Sequence, residues 1–196
     1  MPKPLPHWER YNLLEAMKES NLVIPTEFRI YFERDDGVVK YPDPILRKTA
    51  KPVQRITPDL DALIEHMMRV MKRANGIGLA APQVGVPLRV ILVAPPDQQP
   101  RVIINPQVLE RSGEQVGLEG CLSIPQLFGD VKRAKHIVLR GINRHGKPIR
   151  LQLEDTPARI ALHEIDHLDG VLFIDRAIPE TLHWEHPHTE DEEEAV

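Results

Sequence analysis

The segment HEIDH, residues 163–167, brings two imidazoles and two carboxylates into a little over one helical turn. On a helix, His163 and His167 stand on one face a turn apart, so both can reach a single ion. Glu164 has its carboxylate beside such an ion rather than on it, where it can act as a general base toward water that the ion activates. Two imidazoles are an incomplete set, because a catalytic metal generally takes three protein ligands and keeps a further position open. A metzincin-like third ligand would be a histidine where Phe173 stands, so that class fails. A carboxylate from a following helix would have to be Glu180 or Glu185, both near the start of an acidic tail. The remaining soft donor is Cys121, the one cysteine of the chain, within GLEGCLSIP. A thiolate with two imidazoles suits a tetrahedral ion with one open position. By residue type alone, Cys121 reads equally well as a small buried apolar side chain.

These residues need elements to position them. Asp155 or Thr156 can cap a helix with Pro157 near its first turn, running through the HEIDH segment and ending at Gly170. A second helix starts from Thr57 as N-cap with Pro58 in its first turn. Its residues Leu60, Leu63, Ile64, Met67, Met68 and Met71 make one apolar stripe, and Asn75-Gly76 offers a stop. The methionines read as core. Between residues 88 and 154 the pattern is strand-rich, with LRVILVA, RVIIN, KHIVLRGIN and KPIRLQLE, the last two joined by a turn at Arg144-His145-Gly146. Strands cluster instead of alternating with helices, which predicts an α+β fold: a mostly antiparallel, strand-rich middle packed around the helix that carries the metal motif. Residues 8–20 read as a short amphipathic helix and NLVIPTEFRIYFERDDG as extended chain. The expected organisation is an N-terminal extension over 1–40, a catalytic domain over 41–179 and an acidic tail over 180–196 with little apolar surface to order it.

Composition narrows the function. The net charge of −4 comes without a basic block, which disfavours a dedicated nucleic-acid binder. No apolar run is long enough to span a membrane and no secretory signal is visible, so a cytoplasmic location is expected. A single cysteine forbids an internal disulfide, in keeping with a reducing compartment. GIGLAAPQVG lacks the Lys-Ser/Thr pair of a phosphate loop; Gly76 and Gly78 instead let backbone approach a peptide closely. Ile77 and Ile160 are candidates to line an apolar side-chain pocket, and each could equally be plain core.

Three segments together resemble the peptide deformylase family: GIGLAAPQVG (76–85), EGCLS (119–123) and HEIDH (163–167), in the family's order, within a similarity running from about Tyr41 to Arg176. The resemblance implies a metal-dependent hydrolase that removes the formyl group from the N-terminal formylmethionine of newly made polypeptides and releases formate. It implies that Cys121, His163 and His167 hold one divalent ion, with Fe2+ as the native metal and Zn2+, Ni2+ or Co2+ also accepted. Glu164 is then the general acid and base. Gln83 and the backbone N–H of Leu122 are donors to the oxyanion, and Gly78, Ile77, Gly120 and Ile160 are the candidates for contact with the substrate. The implied partners are formylmethionyl nascent chains and, transiently, the ribosome. Two departures stand out: Leu162 replaces the glutamine common before the first histidine, and the chain ends short and acidic where bacterial members often carry a basic helix. Two other readings are a metallopeptidase using the same histidines and Glu164, and a non-catalytic metal-binding module built on His183, His186 and His188.

Overall fold

A computed structural model of the chain describes residues 22–186. The amphipathic segment expected at 8–20, His188 and the last residues of the acidic tail lie outside the described residues. The chain forms a short helix α1 (Arg29–Phe32), then α2 (Pro58–Arg73), seven strands, β1 (Gly78–Ala80), β2 (Val90–Val93), β3 (Arg101–Ser112), β4 (Gln115–Cys121), β5 (Ile124–Arg133), β6 (His136–Ile142) and β7 (Pro148–Glu154), helix α3 (Asp155–Leu168), and a final strand β8 (His183–Trp184). The strands make two sheets, one of five in the order β1-β2-β3-β6-β7 and one of three in the order β4-β5-β8. Every strand pairing within them is antiparallel. The fold is α+β, as expected.

The five-stranded sheet lies between the two long helices, which explains why β2 is an unbroken apolar run where a half-exposed strand would alternate. Ile91, Val93 and Ile103 pack with the α3 residues Ala158, Ala161, Leu162, Ile165 and Leu168. Their neighbours Val90, Leu92, Val102 and Ile104 pack with Leu60, Ile64, Met67, Val70 and Met71 of α2. Leu162, the departure noted in the sequence, thus contributes to the apolar face of α3. The start of α2 follows the sequence signals: Thr57 Oγ1 accepts from the Leu60 N–H at 3.3 Å, and Pro58 opens the helix. Its stop falls on Asn75, which takes φ 52°, while the Gly76 N–H bonds the Met71 carbonyl at 2.9 Å.

The remaining differences from expectation have tertiary causes. Neither Asp155 nor Thr156 caps α3; Glu154 occupies the N-cap without a side-chain bond, and the Asp155 N–H bonds the Lys135 carbonyl at 2.9 Å. The segment TEFRIYF, expected to be extended, turns through a 3-10 helix into α1, since Phe28 inserts into the core and stacks on Trp184 with ring centroids 5.0 Å apart. Leu182 and Trp184, assigned to the tail in the sequence, are buried beside Phe28, Leu127 and Phe173. The ordered chain therefore continues past residue 179, and β8 adds to the exposed side of β5 by pairing Leu127 with Trp184 and Phe128 with His183.

Candidate metal centre

The site forms where α3 meets the β4–β5 hairpin. Ala158, Ala161, Leu162, Ile165 and Leu168 share a stripe of α3 that is committed to the five-stranded sheet. His163 and His167 fall on the adjoining stripe and face β4, with Ile160 and Glu164 lying against Gly78 of β1. Cys121 is the last residue of β4, and the strand register slips between Gly120 and Cys121 before a two-residue turn leads into β5. Such a bulge re-aims a side chain. Here the thiol meets the histidines: Cys121 Sγ lies 3.2 Å from His167 Nε2, and one ligand atom each from Cys121, His163 and His167 lie within 4.8 Å of one another. Glu180 and Glu185 take no part in this group, and neither do His183 and His186, which stand at the β8 end of the small sheet.

The trio fits a divalent metal in donor chemistry and in surroundings. One thiol and two imidazoles are the soft and intermediate donors that divalent transition metals take. His163 Nδ1 donates to Glu119 Oε2 at 2.9 Å, which fixes the ring and turns Nε2 to the centre. Burial would raise the Cys121 pKa, but the charge of His167 and hydrogen bonds from both imidazoles outweigh it and hold the thiol well below its ordinary range. The thiolate, which is the ligating form, is favoured. Glu164 is buried beside them, and its Oε2 has no hydrogen-bond partner among the described residues. Burial pushes its carboxyl up to about 7, against the opposing charges of His163 and His167.

Glu119 was not singled out in the sequence, yet it organises one side of the site. It sits two residues before Cys121 on β4, both side chains reach histidines of α3, and that closeness in sequence was the available signal. Arg133 grips it with two bonds of 2.9 and 2.8 Å, and Arg159 Nη1 reaches Oε1 at 2.8 Å. Burial acts to raise the Glu119 pKa, but hydrogen bonds from Arg133 and His163 prevail and keep it far below the usual carboxylate range. Arg133 also pairs with Asp166, whose carboxylate takes two further bonds from Arg176 at 2.6 and 2.7 Å. Each buried charge in this group has an opposite partner.

On the other wall, the Gln83 side chain is fixed at both ends: the Ala80 N–H donates to Oε1 at 2.9 Å, and Nε2 donates to Ser123 Oγ at 3.2 Å. Nε2 also lies 3.6 Å from Cys121 Sγ, so the amide is held beside the ligand trio. A cleft of about 720 Å³ opens over these groups and is lined by Gln83, Gly120, Cys121, Leu122, Ile160, His163 and Glu164, together with Ile77 and Gly78. His167 lies beneath it, almost fully buried. Gly78 is dictated by space, since a Cβ there would run into the Glu164 carboxylate and Ile160. Ile77 is 46% exposed and Ile160 6%, so the first is a rim residue and the second part of the cleft floor. The residues that the resemblance implies for the site are gathered around this one cleft, whereas Glu180, Glu185, His183 and His186 are not.

The sequence model of the polypeptide deformylase family matches residues 36–182. A peptide deformylase of Desulforudis audaxviator is 46% identical over 141 residues, covering 71% of this chain and 92% of that protein. Among solved structures, the peptide deformylase of Thermotoga maritima superposes with a TM-score of 0.70 at 41% identity, over 71% of this chain and 95% of that one. A class I type b peptide deformylase from Acinetobacter baumannii, crystallised with Met-Ala-Ser bound, gives a TM-score of 0.69 at 38% identity, over 71% of this chain and 96% of that one.

Proposed function

We infer the activity from kinship and site together: the chain belongs to the polypeptide deformylase family. It is a metal-dependent amide hydrolase of protein biosynthesis that removes the formyl group from the N-terminal formylmethionine of newly made polypeptides and releases formate. The observation that carries the reading is the convergence of Cys121, His163 and His167 beside Glu164 in a chain of this family.

We assign Cys121, His163 and His167 as the residues that hold the ion. When bound, a divalent ion supplies Lewis acidity, polarising oxygen and making water a stronger acid. The chain's own groups do the rest. Glu164 takes the proton of the attacking water on its unpartnered oxygen and then delivers it to the amine nitrogen as the C–N bond breaks. Water oxygen ends in formate, and the peptide leaves with a free α-amine. Gln83 Nε2, preset by Ala80 and Ser123, and the Leu122 N–H donate to the oxyanion that develops on the formyl oxygen, at typically about 3 kcal/mol for each such donor. Ile160, Gly78, Ile77 and Gly120 receive the methionine and its backbone. Glu119 is a positioning residue for His163.

Fe2+ is the proposed native ion, with Zn2+, Ni2+ and Co2+ as substitutes; thiolate and imidazole donors are compatible with all four. The proposed location is the cytoplasm, supported by the absence, among the described residues, of a helix long and apolar enough to cross a membrane. Ribosome contact is proposed as transient. The catalytic domain is proposed to be built on 41–179, with the family match over 36–182 in support and with Phe28, Leu182 and Trp184 from its two flanking segments packed into its core. The test is metal analysis of anaerobically purified protein alongside formate release from formyl-Met-Ala-Ser. One ion per chain and chelator-sensitive release are expected; no release by metal-loaded protein would overturn the assignment.

A further inference from the structure

One end of the cleft is electropositive in a way that the chemistry of deformylation does not require. Arg34 and Arg73 both line it. Arg73 is the last residue of α2, and Arg34 belongs to the segment preceding residue 36, where the family match begins. Among the described residues, neither guanidinium is engaged in an ion pair. Arg34 lies over the Tyr31 ring, 4.6 Å from its centroid, and Arg73 Nε donates to the backbone carbonyl of Asp36 at 3.1 Å. The acidic groups that also line the cleft are already matched or committed. Both Asp36 carboxylate oxygens accept from Lys40 Nζ at 2.7 Å, Glu119 is held by Arg133 and Arg159, and Glu164 serves the reaction. Glu33 and Asp35, which flank Arg34 in sequence, do not line the cleft.

The fold holds this end in place. Phe28 and Phe32 pack on Trp184, which anchors α1 and the Tyr31–Arg34 segment beside the β5 strand. Arg73 leads through Ala74 into Asn75-Gly76, and a Cβ on Gly76 would come 2.8 Å from Leu122 Cδ1, so the arginine end adjoins the residue after Cys121. An extended peptide advances about 3.3 Å per residue and sends successive side chains to opposite sides. With the methionine side chain directed to the floor at Ile160, the next side chain projects to the outer rim. We propose that Arg34 and Arg73 form a subsite for the residue that follows formylmethionine and that it favours aspartate or glutamate there. The proposal rests on the deformylase reading and gives the N-terminal segment a role in substrate choice.

The experiment compares kcat/KM of the metal-loaded enzyme on formyl-Met-Glu-Ser, formyl-Met-Ala-Ser and formyl-Met-Lys-Ser. A Glu-over-Lys preference of about five-fold or more is expected at low salt, residing in KM and shrinking as ionic strength rises. Arg34→Glu should abolish or reverse the preference, and Arg34→Lys should retain it; Arg34 is exposed, so neither change disturbs the core. Turnover of formyl-Met-Ala-Ser with equal rates on the Glu and Lys peptides would overturn the subsite and leave the deformylase reading intact. A preference that survives Arg34→Glu would overturn the part given to Arg34. No turnover of any formyl peptide would remove the deformylase reading and this proposal with it.

Discussion

At the scale of single residues, the proposed mechanism separates groups that hold the ion, move the proton and orient the others. Glu164 is the proton carrier in this scheme, so Glu164→Gln keeps the volume of the side chain and removes its basicity. Formate release should fall about 10²- to 10⁴-fold in kcat with metal content unchanged, measured by stopped assay and elemental analysis on the same sample. A loss below ten-fold would take the proton role away from it. Glu119 tests a different property. Glu119→Gln removes the anion that orients His163 and leaves the buried Arg133 short of a partner. Metal affinity should drop about 10- to 100-fold in competition with a chelator. The same mechanism places the loss in ion retention first and in turnover of the fully loaded enzyme second. The HEIDH spacing and the lone cysteine were legible from type and interval, whereas the role of Glu119 depends on Arg133 and His163, which are 14 and 44 positions away.

At the scale of elements, legibility followed how local the determinants are. Helix α2 has a cap, a first-turn proline and a 3.6-residue stripe within one window, and α3 has its stripe and a terminal glycine, so both were readable. Strand β2 stood out because burial on both faces makes it uniformly apolar. Strands β4 and β5 did not. Val116 and Leu118 of β4 are exposed apolar residues, glycines interrupt the run, and its pairing partner β5 carries Gly129, Asp130 and Lys132. The helical turn at Arg29–Phe32 escaped because what decides it is Trp184, at the other end of the chain. Trp184→Ala should therefore cost about 3–5 kcal/mol in urea unfolding, far more than a frayed tail would allow. A change under 1 kcal/mol would mean that β8 does not support the core. Gly170 ends α3 with φ +73°, and an added Cβ would sit 2.5 Å from the Arg47 carbonyl oxygen. Gly170→Ala should destabilise by about 1–3 kcal/mol, through backbone strain and displacement of the Arg47 loop.

At the scale of the whole molecule, the proposed ion site is a junction between two cores. Helix α3 belongs to the cluster under the five-stranded sheet, while Cys121 packs against the cluster of the three-stranded sheet. A thiolate from one side and two imidazoles from the other make a bound ion a cross-link between them. The Arg133 network, joining Glu119 of β4 to Asp166 of α3, crosses the same junction without metal. Removal of the ion should therefore lower stability without unfolding the protein. Binding that saturates the folded form at a thousand times its dissociation constant contributes about 4 kcal/mol, so the chelated protein should melt at a clearly lower temperature and recover on adding Fe2+ or Ni2+ without air. Hydrogen exchange gives the loss a location. The β4–β5 hairpin and the second half of α3 should lose protection, while β2 and β3, sealed between α2 and α3, keep theirs. Uniform loss of protection across both sheets would show that the ion stabilises the fold as a single unit and does not act as a local clasp between its two halves.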